Sequence, residues 1–122
     1  MSEIKDFTDL KAWQEAHQLV LMIYKSSKNF PKDELFALTS QVRRAAISVS
    51  SNIAEGFGRS SKQDKIHFYN MSQTSVDEIR AQILAARDLG YLTKDNCNHI
   101  TNQAITTRKL LSGLIKSIKE KL

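Results

Sequence analysis

The stretch LKAWQEAHQLVLMIY, residues 10–24, decides the fold class of this chain. Its apolar and aromatic side chains recur in steps of three and four along two neighbouring lines. The first line is Leu10, Trp13, His17, Val20 and Tyr24, and the second is Ala12, Ala16, Leu19 and Ile23. Such steps place side chains on one face of an α-helix. The stretch therefore predicts a helix over residues 9–28, with Thr8 or Asp9 as its N-cap.

A second helix is predicted over residues 33–55, where apolar residues again recur in steps of three and four. Pro31 lies just before it, as expected for a residue that fixes φ and lacks an N–H group. Gly56 and Gly58 are expected to end it, because glycine adopts the left-handed cap conformation without penalty.

Two more helices are predicted over residues 62–89 and 94–121. Ser61, with Asp64 three residues later, opens the third helix as in a capping box; Gly90 ends it, and Thr93 caps the fourth. Connections of about four to six residues force neighbouring helices to run antiparallel. The sequence thus predicts an all-α fold, an antiparallel up-and-down four-helix bundle that forms a single domain over residues 1–122.

The chain is small and basic. It has 122 residues, with 18 Lys and Arg against 13 Asp and Glu, for a formal net charge of +5. Such a balance attracts polyanions such as RNA and also serves solubility, so both readings stay open. The lone Cys97 cannot form an internal disulfide, no signal peptide is recognisable, and the longest apolar run covers only residues 19–24. We expect a cytoplasmic protein without a membrane-spanning segment.

The apolar run of the first helix points in every direction around the helix axis. A helix in a monomeric bundle needs only one apolar face, so we expect part of this run to form a homo-oligomer interface. The alternative is scattered apolar surface residues, which are normal. The interface residues expected are Leu19, Leu21, Met22 and Ile23.

No pattern typical of an active site or cofactor site is present. His17, His67 and His99 fall on separate predicted helices, and none has the spacing of a metal-ligand pair. Cys97 lies on an apolar stripe, where a packed thiol is expected rather than a nucleophile. We therefore expect no metal, no cofactor and no enzymatic activity.

Polar residues interrupt the second helix over residues 48–59. Asn52 falls on the apolar stripe, so its amide should be buried and must find hydrogen-bond partners, with Ser72 on the third helix as one candidate. The expected structural polar network is Ser48, Asn52, Glu55 and Ser72. The alternatives are a ligand pocket or a hydrolase site that uses Glu55 and Asn52.

Basic residues occur in several groups. Those near the end of the last helix are explained by the helix dipole, which favours cations there. The dipole does not explain Arg43 and Arg44 in mid-helix, or Arg59 and Lys62 at a helix start, where backbone N–H groups attract anions. These four residues are the predicted phosphate contacts, although no aromatic residues interleave them as a stacking platform would require.

Three blocks of the chain resemble one known family. They are residues 7–14 (FTDLKAWQ), 30–35 (FPKDEL) and 41–59, which end in the specific sequence NIAEGFGR. These blocks are similar to the four-helix-bundle proteins encoded in 23S ribosomal RNA intervening sequences. Family members often carry a proline where this chain has Ser50, so its second helix is expected to be straighter.

The resemblance implies an up-and-down bundle assembled as a ring-like homo-oligomer, a pentamer. It also implies kinship in fold with the accessory protein of diversity-generating retroelements, which is basic and works with a reverse transcriptase and RNA. Two hypotheses follow for this chain: a non-enzymatic, oligomeric protein associated with RNA or another nucleic acid, or an adaptor whose partner is a protein such as a reverse transcriptase or nuclease.

Overall fold

The structure is a computed structural model that describes residues 3–121. Its four α-helices are α1 (Lys11–Ser27), α2 (Leu38–Gly58), α3 (Lys62–Asp88) and α4 (Lys94–Glu120), and no strand occurs among these residues. Two short 3-10 helices, Phe7–Asp9 and Lys32–Glu34, precede α1 and α2. The predicted all-α fold is confirmed.

The four helices pack around a square, each against the helices before and after it, and α1 closes against α4. Contacts across α2 and α3 show that these neighbours are antiparallel. Ser48 meets Ser75 and Val49 meets Ser72, so residue numbers fall along α3 as they rise along α2. The hydrogen bonds between α3 and α4 show that these two helices are antiparallel as well. The bundle is therefore up-and-down, as predicted.

The core is filled by one apolar face from each helix. Its most deeply buried large side chains include Leu19, Ile53, Ile79 and Leu111, all with less than 2% of their surface exposed. Burying an aliphatic side chain of this size stabilises a fold by about 1.5–3 kcal/mol. Leu19, Ile79 and Leu111 occupy the predicted stripes, whereas the core position predicted for Asn52 is taken by Ile53, and Asn52 itself is half-buried. The hydrophobic period thus determined the buried face of each helix, with a shift of one residue near the end of α2.

Two of the four residues predicted for an oligomer interface belong to this core. Leu19 and Ile23 retain 0% and 2% of their surface, because their line faces the centre of the bundle. Leu21 remains half exposed, one helical turn before Tyr24. Met22 is half-buried in a hollow between α1 and α4. The expected interface is therefore corrected: only Leu21 is a large exposed apolar residue of that set.

The start of α2 differs from the prediction by five residues. Pro31 precedes the 3-10 helix Lys32–Glu34, and Ala37 then leaves helical geometry with φ −125° and ψ −106°. Only at Leu38 does the α-helix begin, where a carboxylate oxygen of Glu34 accepts a hydrogen bond from its backbone N–H at 3.3 Å. Glu34 thus caps the helix from outside it.

The N-cap predicted for α1 is wrong. Leu10 occupies that position without a side-chain hydrogen bond, and α1 begins at Lys11. The predicted cap Asp9 serves the preceding 3-10 helix, because Asp6 and Asp9 together form a capping box around it. Thr8 contributes its carbonyl, which accepts from the Gln14 amide at 2.9 Å.

The other caps follow local chemistry. The Ser61 side chain accepts from the N–H of Asp64 at the start of α3, and the Thr93 side chain accepts from the N–H of Asn96 at the start of α4. Gly90 ends α3 with φ +82°. Gly56 and Gly58 do not stop α2 at residue 55, because both continue the helix and neither has positive φ. Gly56 instead leaves free the space that the ring of Tyr69 occupies.

Candidate nucleic-acid interface

Arg43 and Arg44, predicted as neighbouring phosphate contacts, lie on different sides of α2. The Arg43 Nε donates to Ser27 Oγ at 2.8 Å, and its guanidinium lies 4.9 Å from the centre of the Tyr24 ring. Arg43 therefore ties α2 to α1. Arg44 is exposed and lines an open groove between α2 and α3 together with Phe36.

Arg59 and Lys62 lie at the opposite end of α2. Arg59 pairs with Glu55 at 3.4 Å and lies over the Phe68 ring at 4.5 Å, while the Lys62 Nζ donates to the carbonyl of Lys121 at 2.7 Å. At 1.5 Å per residue, Arg43 and Arg59 are about 24 Å apart along the axis of α2. The four predicted residues do not form one phosphate site.

The predicted polar network is divided. Asn52 bonds within its own helix, to the carbonyl and hydroxyl of Ser48 at 2.9 and 3.0 Å. The expected bond to Ser72 does not form, because the Ser72 hydroxyl instead donates to the carbonyl of Val49 at 2.7 Å. It is Ser75, not among the predicted members, that reaches Ser48 from α3, at 2.9 Å.

The fourth predicted member, Glu55, is outside this network. Its side chain is 54% exposed and pairs with Arg59, one turn further along the chain. The sequence placed it beside Asn52 because the two are three residues apart, but the helix turns the carboxylate toward solvent. The side chains that do meet, Asn52, Ser48 and Ser75, therefore link α2 to α3, and this network contains no carboxylate.

The densest set of cations lies in a groove between α3 and α4. Two adjoining hollows of about 400 and 370 Å³ share Ser112 and together form this surface, called here the α3–α4 groove. Its cationic side chains are Arg80 from α3 and Arg108, Lys109, Lys116 and Lys119 from α4. The groove runs along α4 from Ile105 to Lys119, a length of about 21 Å.

One ion pair crosses the groove. Arg108 binds Asp77 through Nε at 3.0 Å and through its terminal nitrogen at 3.2 Å. This guanidinium lowers the pKa of Asp77, and nearby Arg80 lowers it further. The Asp77 carboxylate in turn raises the pKa of Arg108. The pair positions α3 against α4 and neutralises only one of the five cations.

The remaining cations are largely uncompensated. Lys116 approaches Glu120 at 3.9 Å, and both side chains are mostly exposed. Within residues 3–121, Arg80, Lys109 and Lys119 make no ion pair. The groove can therefore attract an anion along its length, and its spaced cations suit a chain of phosphates better than a single one.

Amide groups complete the lining. The Gln73 amide donates to Ser112 Oγ at 2.7 Å and to the carbonyl of Arg108 at 3.4 Å, so its hydrogens are committed to the protein. Asn70 lies further along α3. No aromatic side chain lines either hollow. This lining can hold phosphates but offers no surface on which bases could stack.

Sequence reasoning missed this groove because it attributed the lysines near the end of α4 to the helix dipole and assigned no role to Arg108 and Lys109. A usable signal was present: residues 105, 109, 112, 116 and 119 recur in steps of four and three, which is a helical stripe of its own, and Arg108 lies beside it. Cations on a stripe beside the core stripe mark a surface that runs along the helix, whereas the dipole acts only on the last turn.

No helix of the described residues combines the length and apolar character needed to span a bilayer. Likewise, residues 3–121 contain no group of three or more acidic, histidine or cysteine side chains arranged to hold a metal ion. The fold and its main surface thus define a basic four-helix bundle with a cationic groove along one edge.

The chain belongs to the 23S rRNA-intervening sequence protein family, whose model matches residues 8–113. Among solved structures, it is similar to a protein of unknown function from the S23 ribosomal protein family of Bacteroides thetaiotaomicron VPI-5482. The two superpose with a TM-score of 0.80 over 86% of this chain and 98% of the other, at 22% identity. A comparison with curated proteins finds no match. At that identity the structural likeness supports the fold.

Proposed function

We propose that this chain is a cytoplasmic, non-enzymatic RNA-binding protein that acts as a homo-oligomer, with the α3–α4 groove as its RNA contact. The observation that carries the RNA proposal is the stripe of cations on α4, faced by Arg80 and opposed across the groove only by Asp77. Family membership agrees with an RNA-linked role. Arg44, Arg59 and Lys62, the exposed members of the set first expected to bind phosphate, are secondary contacts.

The strength of binding should depend steeply on salt. Four of the groove cations are not held by Asp77, and each phosphate contact releases counterions. Four contacts give a slope of log K against log salt of about −3 for single strands and about −4 for duplexes. Because the groove lining holds phosphates and offers no surface on which bases could stack, RNAs of different sequence but equal length and structure should bind with similar affinity.

Fluorescence anisotropy with a structured fragment of 23S ribosomal RNA, over a series of salt concentrations, tests this proposal. The double substitution Lys109→Glu with Lys116→Glu should weaken binding and flatten the salt slope by about two. A matched control, Lys11→Glu with Lys25→Glu, makes the same change in net charge on exposed positions of α1. An equal loss of RNA affinity for both double variants would mean that only net charge attracts RNA. An absence of binding at low salt would refute the proposal.

The homo-oligomer proposal rests on an exposed apolar surface between α1 and α2. Leu21, Tyr24 and Ile47 are 50%, 38% and 42% exposed, and they are called here the α1–α2 strip. Tyr24 contacts Arg43 across these two helices, and Leu21 and Ile47 each lie one helical turn from one member of that pair. A ring-like pentamer is the assembly that the family resemblance implies. Light scattering should show an oligomer for the native chain and smaller species for Leu21→Asp.

A second candidate function is that of an adaptor for another protein, such as a reverse transcriptase or nuclease. The same α1–α2 strip favours it, because an uncovered apolar strip also fits the apolar face of a foreign helix. Affinity capture separates the two candidates. A partner protein that is retained after nuclease treatment, and lost in Leu21→Asp, would favour the adaptor function over RNA binding.

A further inference from the structure

A hollow between α2 and α3 holds the one buried side-chain polar atom of residues 3–121 that has no hydrogen-bond partner. The atom is the Oε1 oxygen of Gln82, and the hollow, called here the α2–α3 groove, has a volume of about 420 Å³. Buried acceptors in folded proteins are paired in the great majority of cases, so this oxygen needs a donor from outside the chain. The volume also lies in the range of about 300–1,000 Å³ that is typical of small-molecule sites.

The wall of the groove that α3 forms offers hydrogen-bond acceptors. Glu78 lies one turn before Gln82 on the same side of α3, and both line the groove. The Glu78 carboxylate is exposed and makes no ion pair with any other described residue. Two acceptors one turn apart, one of them an anion, fit a ligand that presents several N–H donors along one edge.

The wall that α2 forms offers a cation. Ser48 and Ser75 meet across the floor of the groove at 2.9 Å, and α2 and α3 run antiparallel. Arg44 and Glu78 each lie about one turn beyond that contact, so they stand at the same level on the two walls. Within the described part of the chain they form no ion pair with each other or with another residue. Both charges are therefore available to a ligand between the walls.

Phe36 supplies an aromatic surface on the rim of the groove. It is the most exposed large hydrophobic residue of the described chain, with 93% of its surface accessible. Exposed aromatic rings beside cations are the surfaces on which nucleic-acid-binding proteins stack bases. The floor beneath is made of the small side chains of Ala45, Ser48 and Ser75, which leave room for a flat ring.

We propose that the α2–α3 groove is a binding site for a guanine nucleotide. Guanine presents a ring N–H and an amino group side by side on one edge, and these donors fit the Glu78 carboxylate and the Gln82 Oε1 oxygen. The base stacks on Phe36, and the phosphate binds the Arg44 guanidinium. Adenine and cytosine carry a ring acceptor beside their amino group, so the same edge would bring a lone pair toward Glu78.

Net charge favours a nucleotide over an amino acid. Free arginine could also place a donor-rich group on Glu78 and a carboxylate on Arg44, but it is a cation. The chain carries a net charge of +5 and attracts anions. The α2–α3 groove lies on the other side of α3 from the α3–α4 groove, so the site does not rest on the proposed RNA contact. Its ligand is a free nucleotide or an unpaired guanosine of an RNA, because base pairing already engages this edge.

Isothermal titration calorimetry of the native protein with GMP gives the first test. GMP should bind once per chain. AMP, and IMP, which lacks only the amino group, should each bind about 10-fold or more weakly, because an acceptor of the groove is then left unpaired. Equal affinities for GMP, AMP and inorganic phosphate would mean that Arg44 attracts phosphate alone, and the guanine site would then be wrong. An absence of GMP binding, or tighter binding of arginine than of GMP, would also overturn it.

Glu78→Gln separates recognition of the base from attraction of the phosphate. The substitution adds one positive charge to the protein, so phosphate attraction alone would leave GMP affinity unchanged or increase it. Recognition of the base by the carboxylate predicts a loss of about 10-fold. Glu55→Gln is the matched control, because it makes the same charge change at an exposed carboxylate that does not line the groove.

Gln82→Met tests the unpaired oxygen directly. GMP affinity should fall by about 10-fold, whereas stability in urea should be equal to the native value or higher, because the oxygen removed has no partner in the protein. A structural role for Gln82 would instead lower stability and leave GMP affinity unchanged. Native GMP affinity in both Gln82→Met and Glu78→Gln would refute the site.

Lys109→Glu with Lys116→Glu distinguishes this site from the proposed RNA contact. The pair should weaken RNA binding yet leave GMP affinity within about twofold at physiological salt, where distant exposed charges are screened. A large loss of GMP affinity in that variant would place the nucleotide in the α3–α4 groove and overturn the assignment.

Competition against GMP identifies the source of the guanine. Displacement by an RNA hairpin with one unpaired guanosine, but not by the same hairpin with adenosine there, would support the site and assign it to RNA. Displacement by neither hairpin, with GMP bound as expected, would support a site for the free nucleotide. Equal displacement by both hairpins would contradict recognition of guanine.

Discussion

Gly56 permits the close approach of α2 to α3, and its replacement by alanine should destabilise the bundle. A Cβ at this position would lie 2.7 and 2.9 Å from two ring atoms of Tyr69 and 3.2 Å from the Cβ of Phe68. Real Cβ contacts of this kind lie at about 3.4–4 Å. Tyr69 is only 2% exposed, so its ring has no open space into which to move.

The size of the effect follows from two opposing contributions. Overpacking a filled core costs about 1–3 kcal/mol, and two contacts under 3.0 Å favour the upper half of that range. Replacing glycine by alanine in a helix returns at most about 1 kcal/mol. Gly56→Ala should therefore lose about 1–2 kcal/mol of unfolding free energy, or roughly 4–8 °C in Tm for a domain of this size.

Gly113 provides the matched control. It also lies within a helix, but a Cβ there would meet nothing within 4 Å. Gly113→Ala should thus raise stability by up to about 1 kcal/mol. Urea unfolding followed by circular dichroism, at one fixed protein concentration, measures both variants. A Gly56→Ala variant as stable as Gly113→Ala would refute the packing argument, since helix propensity alone predicts the same gain for both.

Three further substitutions test individual contacts. Ser72→Ala should lose about 0.5–1.5 kcal/mol in urea unfolding, because the buried bond to the Val49 carbonyl disappears. Asp77→Asn should cost at most about 1 kcal/mol at pH 7, since the pair with Arg108 is exposed. Because folding lowers the Asp77 pKa, that contribution is complete above its ordinary value of 3.8 and vanishes as pH falls through the lowered value, so native and variant stabilities should converge in acid. Thr93→Ala should lose about 1 kcal/mol with its N-cap bond, visible as a lower Tm.

Features that depend on local chemistry could be predicted from the sequence. The apolar period of each helix fixed its buried face, and Ser61, Gly90 and Thr93 marked helix ends through interactions within a few residues. The start of α2 was missed because Pro31 is equally compatible with a 3-10 turn and with the first turn of an α-helix.

Features that depend on the register between helices could not be predicted. Whether Ser72 meets Asn52 or the carbonyl of Val49 is decided by a shift of one turn between α2 and α3, which neither helix encodes alone. The run over residues 19–24 likewise left open which of its sides faces the core. The α3–α4 groove joins Arg80 to lysines about thirty residues later, so its cations are neighbours only after the bundle has closed.

The proposed RNA surface and the proposed self-association surface occupy different edges of the bundle, and this separation leads to a last prediction. The α3–α4 groove stays open when the α1–α2 strip is covered, so every copy in an oligomer presents its own groove to the same RNA. Grooves joined in this way bind a long RNA with avidity, because the second contact is intramolecular. Leu21→Asp should therefore weaken binding to a long structured RNA by about 100-fold, although Leu21 lies outside the groove.

RNA length supplies the control. An RNA of about six nucleotides spans roughly one groove at 3.4 Å per nucleotide and cannot bridge two copies. Native protein and Leu21→Asp should bind this short RNA equally in fluorescence anisotropy, whereas Lys109→Glu with Lys116→Glu should weaken binding to both lengths. An equal loss of affinity for short and long RNA in Leu21→Asp would show that Leu21 acts at the RNA contact itself, and avidity would then not explain the effect.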